Sequence, residues 1–155
     1  MVNAQATSYL PADDGVTYYP GNTADGSLAT AWVAKRTREG PALSLAWTLP
    51  NAEFVRLLCV TPGYAKSPDR FTNNQRLKTF SLFLNGARQV VHAPPIEASA
   101  YQTMVTVDTS CANCQSVKLT ILDTYPSAHG DSEVAISEVT AYEDTRIWFL
   151  KFLPW

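Results

Sequence analysis

Histidine, cysteine and methionine are scarce in this chain: two His, three Cys and two Met in 155 residues. His92 and His129 belong to no nucleophile or metal-ligand motif, so no catalytic constellation is legible and an enzyme is not expected. Three cysteines are too few for a disulfide framework and an awkward number for a secreted domain. Cys111 and Cys114 could bridge a tight turn, leaving Cys59 as a buried thiol in an apolar strand. A zinc site of Cys59, Cys111, Cys114 and one His is the alternative, and it lacks a second close pair. No apolar run reaches the roughly 18 residues of a membrane span. The first residues lack a basic and an apolar signal-peptide region, so the chain is either intracellular or begins after processing. Charge of one sign is missing too. Twelve Lys and Arg stand against fourteen Asp and Glu, a net −2, with only Lys35-Arg36 and Arg38 close together. That excludes a strong electrostatic case for nucleic acid or an anionic membrane, and predicts binding that depends only weakly on salt. There is no internal repeat, no low-complexity segment and no convincing helical period.

The length suits one domain with a single core. With 46% hydrophobic and 17% charged residues the chain is globular. Proline, tyrosine and tryptophan are frequent, as in loop-rich β proteins that recognise ligands through loops. Leu43, Leu45, Trp47 and Leu49 alternate with smaller or polar residues, a half-buried strand ended by Pro50-Asn51. Phe54 to Val60 is apolar almost throughout and reads as a central strand buried on both faces. Thr61 to Arg76 is a long polar excursion. Phe80, Leu82 and Leu84 alternate up to Asn85-Gly86, a strong hairpin signal, and Ala87 to His92 returns as the partner. Tyr101 to Val107 and Val117 to Ile121 are further alternating strands, with Asp108 to Gln115 a turn between them. Tyr125 to Asp131 is a second polar loop, and Ala135 to Tyr142 is the last strand. Short strands with regularly spaced turns make an antiparallel all-β sandwich.

The whole is organised around the stretch Tyr18 to Trp32, too rich in Pro, Gly, Asn, Asp and Thr for a helix or long strand. Asp25, Ser27 and Thr30 put three oxygen side chains inside six residues, and Gly26 permits a positive φ. Such oxygens suit a hard cation such as calcium; a plain turn with Asp25 bonding its own backbone is the alternative. Trp32 and Trp47 are expected to be structural.

Asn22 to Trp32, "NTADGSLATAW", resembles the Asn-x-x-Asp-Gly-x-x-x-Thr-x-Trp loop of discoidin-like, or galactose-binding-like, jelly-roll β-sandwiches. The stretches Gly63 to Gly86 and Ala135 to Glu143 resemble later parts of the same fold, the second its final strand. Together, from about Ala6 to Glu143, the chain resembles the NADase-type glycan-binding domain attached to secreted bacterial proteins. The resemblance implies a lectin-like module acting outside the cell or at its surface. It implies a structural calcium held by the carboxylates of Asp25 and Glu138, the Thr30 hydroxyl, and backbone carbonyls near Asn22, Ala24 and Thr30. Glu138 itself sits among apolar residues, where a carboxylate is costly unless paired or metal-bound. Ser27 stands where family sites often have Asn or Asp.

The glycan is expected in the excursion after Gly63, where Tyr64, Lys66, Asp69, Arg70, Asn73, Asn74 and Arg76 combine aromatic, charged and amide groups, with Tyr125 joining from the second loop. The alternative for that segment is a pinned loop, with Tyr64 and Phe71 as anchors. A protein- or lipid-binding discoidin-like adhesion module is the rival function. Residues 1–143 form the predicted domain and 144–155 an apolar tail. Ile147 to Trp155 carries two Trp, two Phe and two Leu in nine residues. It is expected to dock on its own sandwich, on a partner or copy, or on a membrane surface.

Overall fold

The computed structural model describes residues 3–143; Ile147 to Trp155, and with them the docking expected of the tail, lie outside the described residues. In chain order come β1 (Asn3–Ala6), β2 (Trp32–Lys35), β3 (Ser44–Pro62), α1 (Pro68–Asn73), β4 (Arg76–Leu84), β5 (Ala87–His92), β6 (Val105–Tyr125) and β7 (Glu133–Glu143). Among the described residues the seven strands form one antiparallel sheet in the order β2-β7-β3-β6-β4-β5, with β1 added to β3.

Two long strands turn that sheet into a sandwich. The start of β3, Ser44 to Thr48, pairs with β1 and with Ser116 to Thr120 of β6. Its end, Leu57 to Pro62, pairs with β7, and Leu57 to Val60 pair with Val105 to Asp108 of β6. The register shifts between Thr48 and Leu57 bend the strand from one layer to the other. Alternation then aims the same side chains inward from both layers. Leu45, Trp47, Phe80, Leu82, Leu119 and Ile121 meet Trp32, Leu58, Val60, Val107 and Ile136 in one buried cluster.

Several expectations need correction. Pro50-Asn51 does not end a strand: β3 runs on through it. The proline lies where the ladder already skips from Thr48 to Glu53, so its missing N–H breaks no regular pairing. Phe54 is exposed, and burial of successive residues starts only at Leu58. Asp108 to Gln115 is not a turn but the irregular middle of β6, with Asn113 at a φ of 52°. The Thr61 to Arg76 excursion holds the single-turn helix α1. The Asn85-Gly86 hairpin stands as expected, both residues at positive φ. Cys111 and Cys114 are joined in a disulfide and Cys59 is a buried free thiol. The disulfide takes two of the four ligands from the alternative zinc site.

Candidate functional site

The organising loop begins as a 3-10 turn, Pro20–Ala24, entered through Pro20. The buried Asn22 amide donates to the carbonyls of Thr17 at 2.7 Å and Ala31 at 3.0 Å, tying the two ends of the loop together. Thr23 Oγ1 donates to the Pro20 carbonyl at 2.8 Å and accepts from Trp47 Nε1 at 2.9 Å. Trp32, fully buried, donates through Nε1 to the Ser8 carbonyl at 2.9 Å. Both tryptophans are therefore structural.

Beyond this scaffold the loop turns its oxygens together. Asp25 accepts from the Ser27 N–H at 2.9 Å and from Thr30 Oγ1 at 2.6 Å. Gly26, at a φ of 76°, donates its N–H to Glu138 Oε2 at 3.2 Å. Burial first, and the nearby Asp25 carboxylate second, push the Glu138 carboxyl up to about 7; the backbone N–H groups of Gly26 and Ser27 pull the other way. No ion pair of Asp25 or Glu138 with a Lys or Arg is seen among the described residues. Two carboxylates without a countercharge, beside hydroxyl oxygens of Ser27 and Thr30, are a donor set a hard divalent cation accepts. Asn22 and Ala24, expected to contribute backbone carbonyls, lie in the 3-10 turn immediately before Asp25.

A second site lies on the outer face of the β2–β7 ladder. Val33 and Ala135 are cross-strand partners there. They pack with Ala31 and Tyr64, and Leu10 and Tyr18 cover them. The Leu10–Tyr18 segment is held to β2 by Leu10 N–H to the Val33 carbonyl, 2.8 Å, and Val33 N–H to the Tyr18 carbonyl, 3.2 Å. On the other side stands α1, capped by Ser67 Oγ on the Arg70 N–H at 3.2 Å and anchored by the buried Phe71. Between them opens a cavity of about 700 Å³. Its polar wall includes Asp13, Tyr18, Tyr64, Ser67, Asp69, Arg70, Asn73, Asn74, Asp131 and Glu133.

Five expected ligand residues, Tyr64, Asp69, Arg70, Asn73 and Asn74, are thus brought together. Tyr64 is only 2% exposed, and the Arg70 guanidinium carbon lies 5.7 Å from its ring centroid. Burial pushes the Tyr64 phenol up, with Arg70 opposing and Tyr18 adding to the shift. Asn74 donates to the Arg70 carbonyl at 2.8 Å, closing the end of α1. Lys66, Arg76 and Tyr125 lie outside the lining. Lys66 is exposed. The Arg76 guanidinium donates to the carbonyls of Phe71 (3.2 Å), Asn74 (2.9 Å) and Pro126 (2.9 Å). The Tyr125 hydroxyl donates to the Ala93 carbonyl at 2.8 Å. Sequence reasoning missed the opposite wall, Asp13 and Tyr18 with Asp131 and Glu133. The sequence puts Tyr18 only at the start of the organising loop and Asp131 only at the end of the second polar loop. The Asp14-Gly15 pair, both at positive φ, is the local signal that could have marked an ordered turn there. Neither histidine lines the cavity.

No curated protein matches the sequence. Solved structures match over nearly its whole length. The family 32 carbohydrate-binding module of C. perfringens NanJ, in complex with galactose, is 24% identical, with a TM-score of 0.61 over 92% of this chain and 93% of that one. A module from a family 31 glycoside hydrolase of Clostridium perfringens is 19% identical, TM-score 0.68, over 92% and 91%. An F5/8 type C domain from Bacteroides fragilis is 14% identical, TM-score 0.66, over 92% and 91%. These likenesses carry the fold, a discoidin-like jelly-roll β-sandwich. The sequence profile described as the NAD glycohydrolase translocation F5/8 type C domain matches residues 1–142, and the chain belongs to that family.

Proposed function

We propose that this chain is a non-catalytic glycan-binding module, acting outside the cell or at its surface, that takes its ligand in the cavity between the Leu10–Tyr18 segment and α1. The observation that carries the reading is the mixture on the cavity wall. Tyr18, half-buried, offers aromatic surface and a hydroxyl, Tyr64 a phenol set into the wall, Asn73 an amide, Arg70 a donor fork, and Asp69 and Glu133 acceptors. A polyhydroxylated ring needs donors and acceptors around an apolar face. The wall is also preorganised, since its segments are bonded to β2 and β7 and little ordering remains to oppose binding. The solved relatives include modules in complex with galactose and with GalNAc-β-1,3-galactose, which supports a sugar as the ligand class. In the same reading calcium binds Asp25, Thr30 and Glu138, with backbone carbonyls of the Asn22–Ala24 turn, and fixes the loop; the uncompensated carboxylate pair supports it.

The test is a glycan array probed with the full chain, with and without chelator, alongside Tyr64→Phe and Asn73→Ala. Saturable binding of a sugar by the wild type, lost in both variants while they stay folded, is the expected result. Undiminished binding by both folded variants moves the site elsewhere. Among the described residues one observation favours the rival, a protein-binding adhesion module. Tyr9 and Tyr19 are 55% and 47% exposed and line a separate groove with Gln5 and Pro20. An array without a single hit would give that reading the lead.

A further inference from the structure

The net charge of −2 conceals a local imbalance. Four carboxylates, Asp13, Asp69, Asp131 and Glu133, line the cavity against one guanidinium, Arg70. Among the described residues none of the four carboxylates closes an ion pair. Lys35, the cross-strand partner of Glu133, and Lys66 stay outside the lining. Nor do the four converge: among the described residues no three acidic, His or Cys side chains come together as a metal site. Their field is spread around a wide rim, which suits a cation carried on a larger molecule.

A second observation points to a ligand with hydroxyl or amine groups. Tyr64 is 2% exposed, and its hydroxyl has no hydrogen-bond partner among the described residues. Yet no buried polar side-chain atom there is both sealed from solvent and unbonded. The hydroxyl therefore opens on the cavity that Tyr64 lines. With no protein partner among the described residues, it is bonded by whatever occupies the cavity, water or the polar group of a ligand.

We infer that the cavity takes an amine-bearing sugar, a hexosamine unit whose nitrogen is unacetylated and protonated, and turns away sugars carrying a carboxylate. The inference rests on the glycan-binding reading above and adds the charge of the ligand. The Tyr64 hydroxyl and the Asn73 amide bond the ring's polar groups, and the rim carboxylates hold the ammonium. A uronate would meet the same rim with like charge, and Arg70 alone does not offset four carboxylates.

The test is calorimetric titration of the full chain at low salt with hexamers of glucosamine, N-acetylglucosamine and galacturonate, and with spermine as an amine without a sugar. The glucosamine hexamer should bind about tenfold tighter than its acetylated counterpart, with galacturonate weakest and the gap narrowing as salt rises. In the double variant Asp69→Asn, Asp131→Asn the preference should shrink to about twofold or less. Both side chains are exposed, so the variant keeps its fold. Tyr64→Phe should weaken both glucosamine-based hexamers alike. Equal binding of the amine and acetylated hexamers overturns the charge inference and leaves the glycan reading standing. Spermine binding as tightly as the glucosamine hexamer also overturns it, by reducing the site to an acidic surface. If no hexamer binds while the array yields another sugar, the inference falls alone; if the array is blank, both fall.

Discussion

Glu138 and Gly26 stand 112 residues apart in the chain, and the Glu138 carboxylate accepts the Gly26 N–H at 3.2 Å. The last strand thereby closes the organising loop and sets its carboxylate beside that of Asp25. A cation bound there and absent from the unfolded chain stabilises the fold by mass action. Adding chelator should lower Tm, and calcium should restore it. An unchanged melting curve, with no metal in elemental analysis, would remove the cation from the account.

The same pair predicts a pH dependence in chelator. The folded state holds the Glu138 proton up to about pH 7, against an ordinary carboxyl value of 4.5. Between these values the native state binds more protons than the unfolded chain, so this group's contribution falls as pH rises through the window. Tm measured in chelator should drop from pH 4.5 to pH 7, and Glu138→Gln should flatten the drop. A variant with the wild-type slope would assign the titration to another group.

Trp32→Ala and Trp47→Ala should each cost about 3–5 kcal/mol, because each empties a core site and strands a bonded loop group. Denaturant titration measures this. Trp32→Ala with unchanged stability but no glycan binding would make Trp32 a ligand contact.

Arg76 and Tyr125 should separate stability from binding. Arg76→Ala leaves three carbonyls without their donor and should cost about 1–3 kcal/mol. Tyr125→Phe removes one hydrogen bond, about 1 kcal/mol. Asn73→Ala should instead weaken glycan binding at little cost in stability. Paired denaturation and titration of the three variants would show the split, and a Tyr125→Phe chain of full stability and lost affinity would put Tyr125 in the site.

Gly63 connects the core to the cavity. Its φ is 79°, and an added Cβ would lie 2.8 Å from Phe71 Cδ2 and 2.9 Å from Arg76 Cγ. Gly63→Ala should destabilise by more than about 1 kcal/mol and weaken binding with it, since Phe71 anchors α1. Melting and titration of one sample would check both, and a variant with wild-type values in each would free α1 from this packing.

What could be read in the sequence follows the range of the interaction. Alternation in Leu43 to Leu49 and Thr79 to Leu84, and the Asn85-Gly86 turn, are local signals that survive in the fold. So does the oxygen cluster of Asp25, Ser27 and Thr30, although Glu138 joined it only through resemblance to a known family. The six residues of α1 are too few to show a helical period. Pro50 looked like a strand end because the register slip that accommodates it depends on a strand over sixty residues later. Asp13, Tyr18, Asp131 and Glu133 share a wall only because β2 pairs with β7, a fact no window of sequence contains.

The excursion that carries α1 leaves the sheet at Gly63, bridged in parallel to Ile136, and rejoins it at Gln75, bridged in parallel to Val134. Gly63 N–H to the Ala135 carbonyl, 2.9 Å, and Gln75 N–H to the Glu133 carbonyl, 2.7 Å, clamp its two ends onto neighbouring positions of β7. Chain closure between those clamps costs little more when the insert grows, about 0.6 kcal/mol for a doubling of length. Length is therefore not what fixes this insert: Tyr64, Ala65, Phe71 and Asn74 are buried against the sheet and hold residues 64–74 to β7 and the core, which leaves the exposed Lys66, Pro68, Asp69 and Arg70 as the part of the insert free to vary.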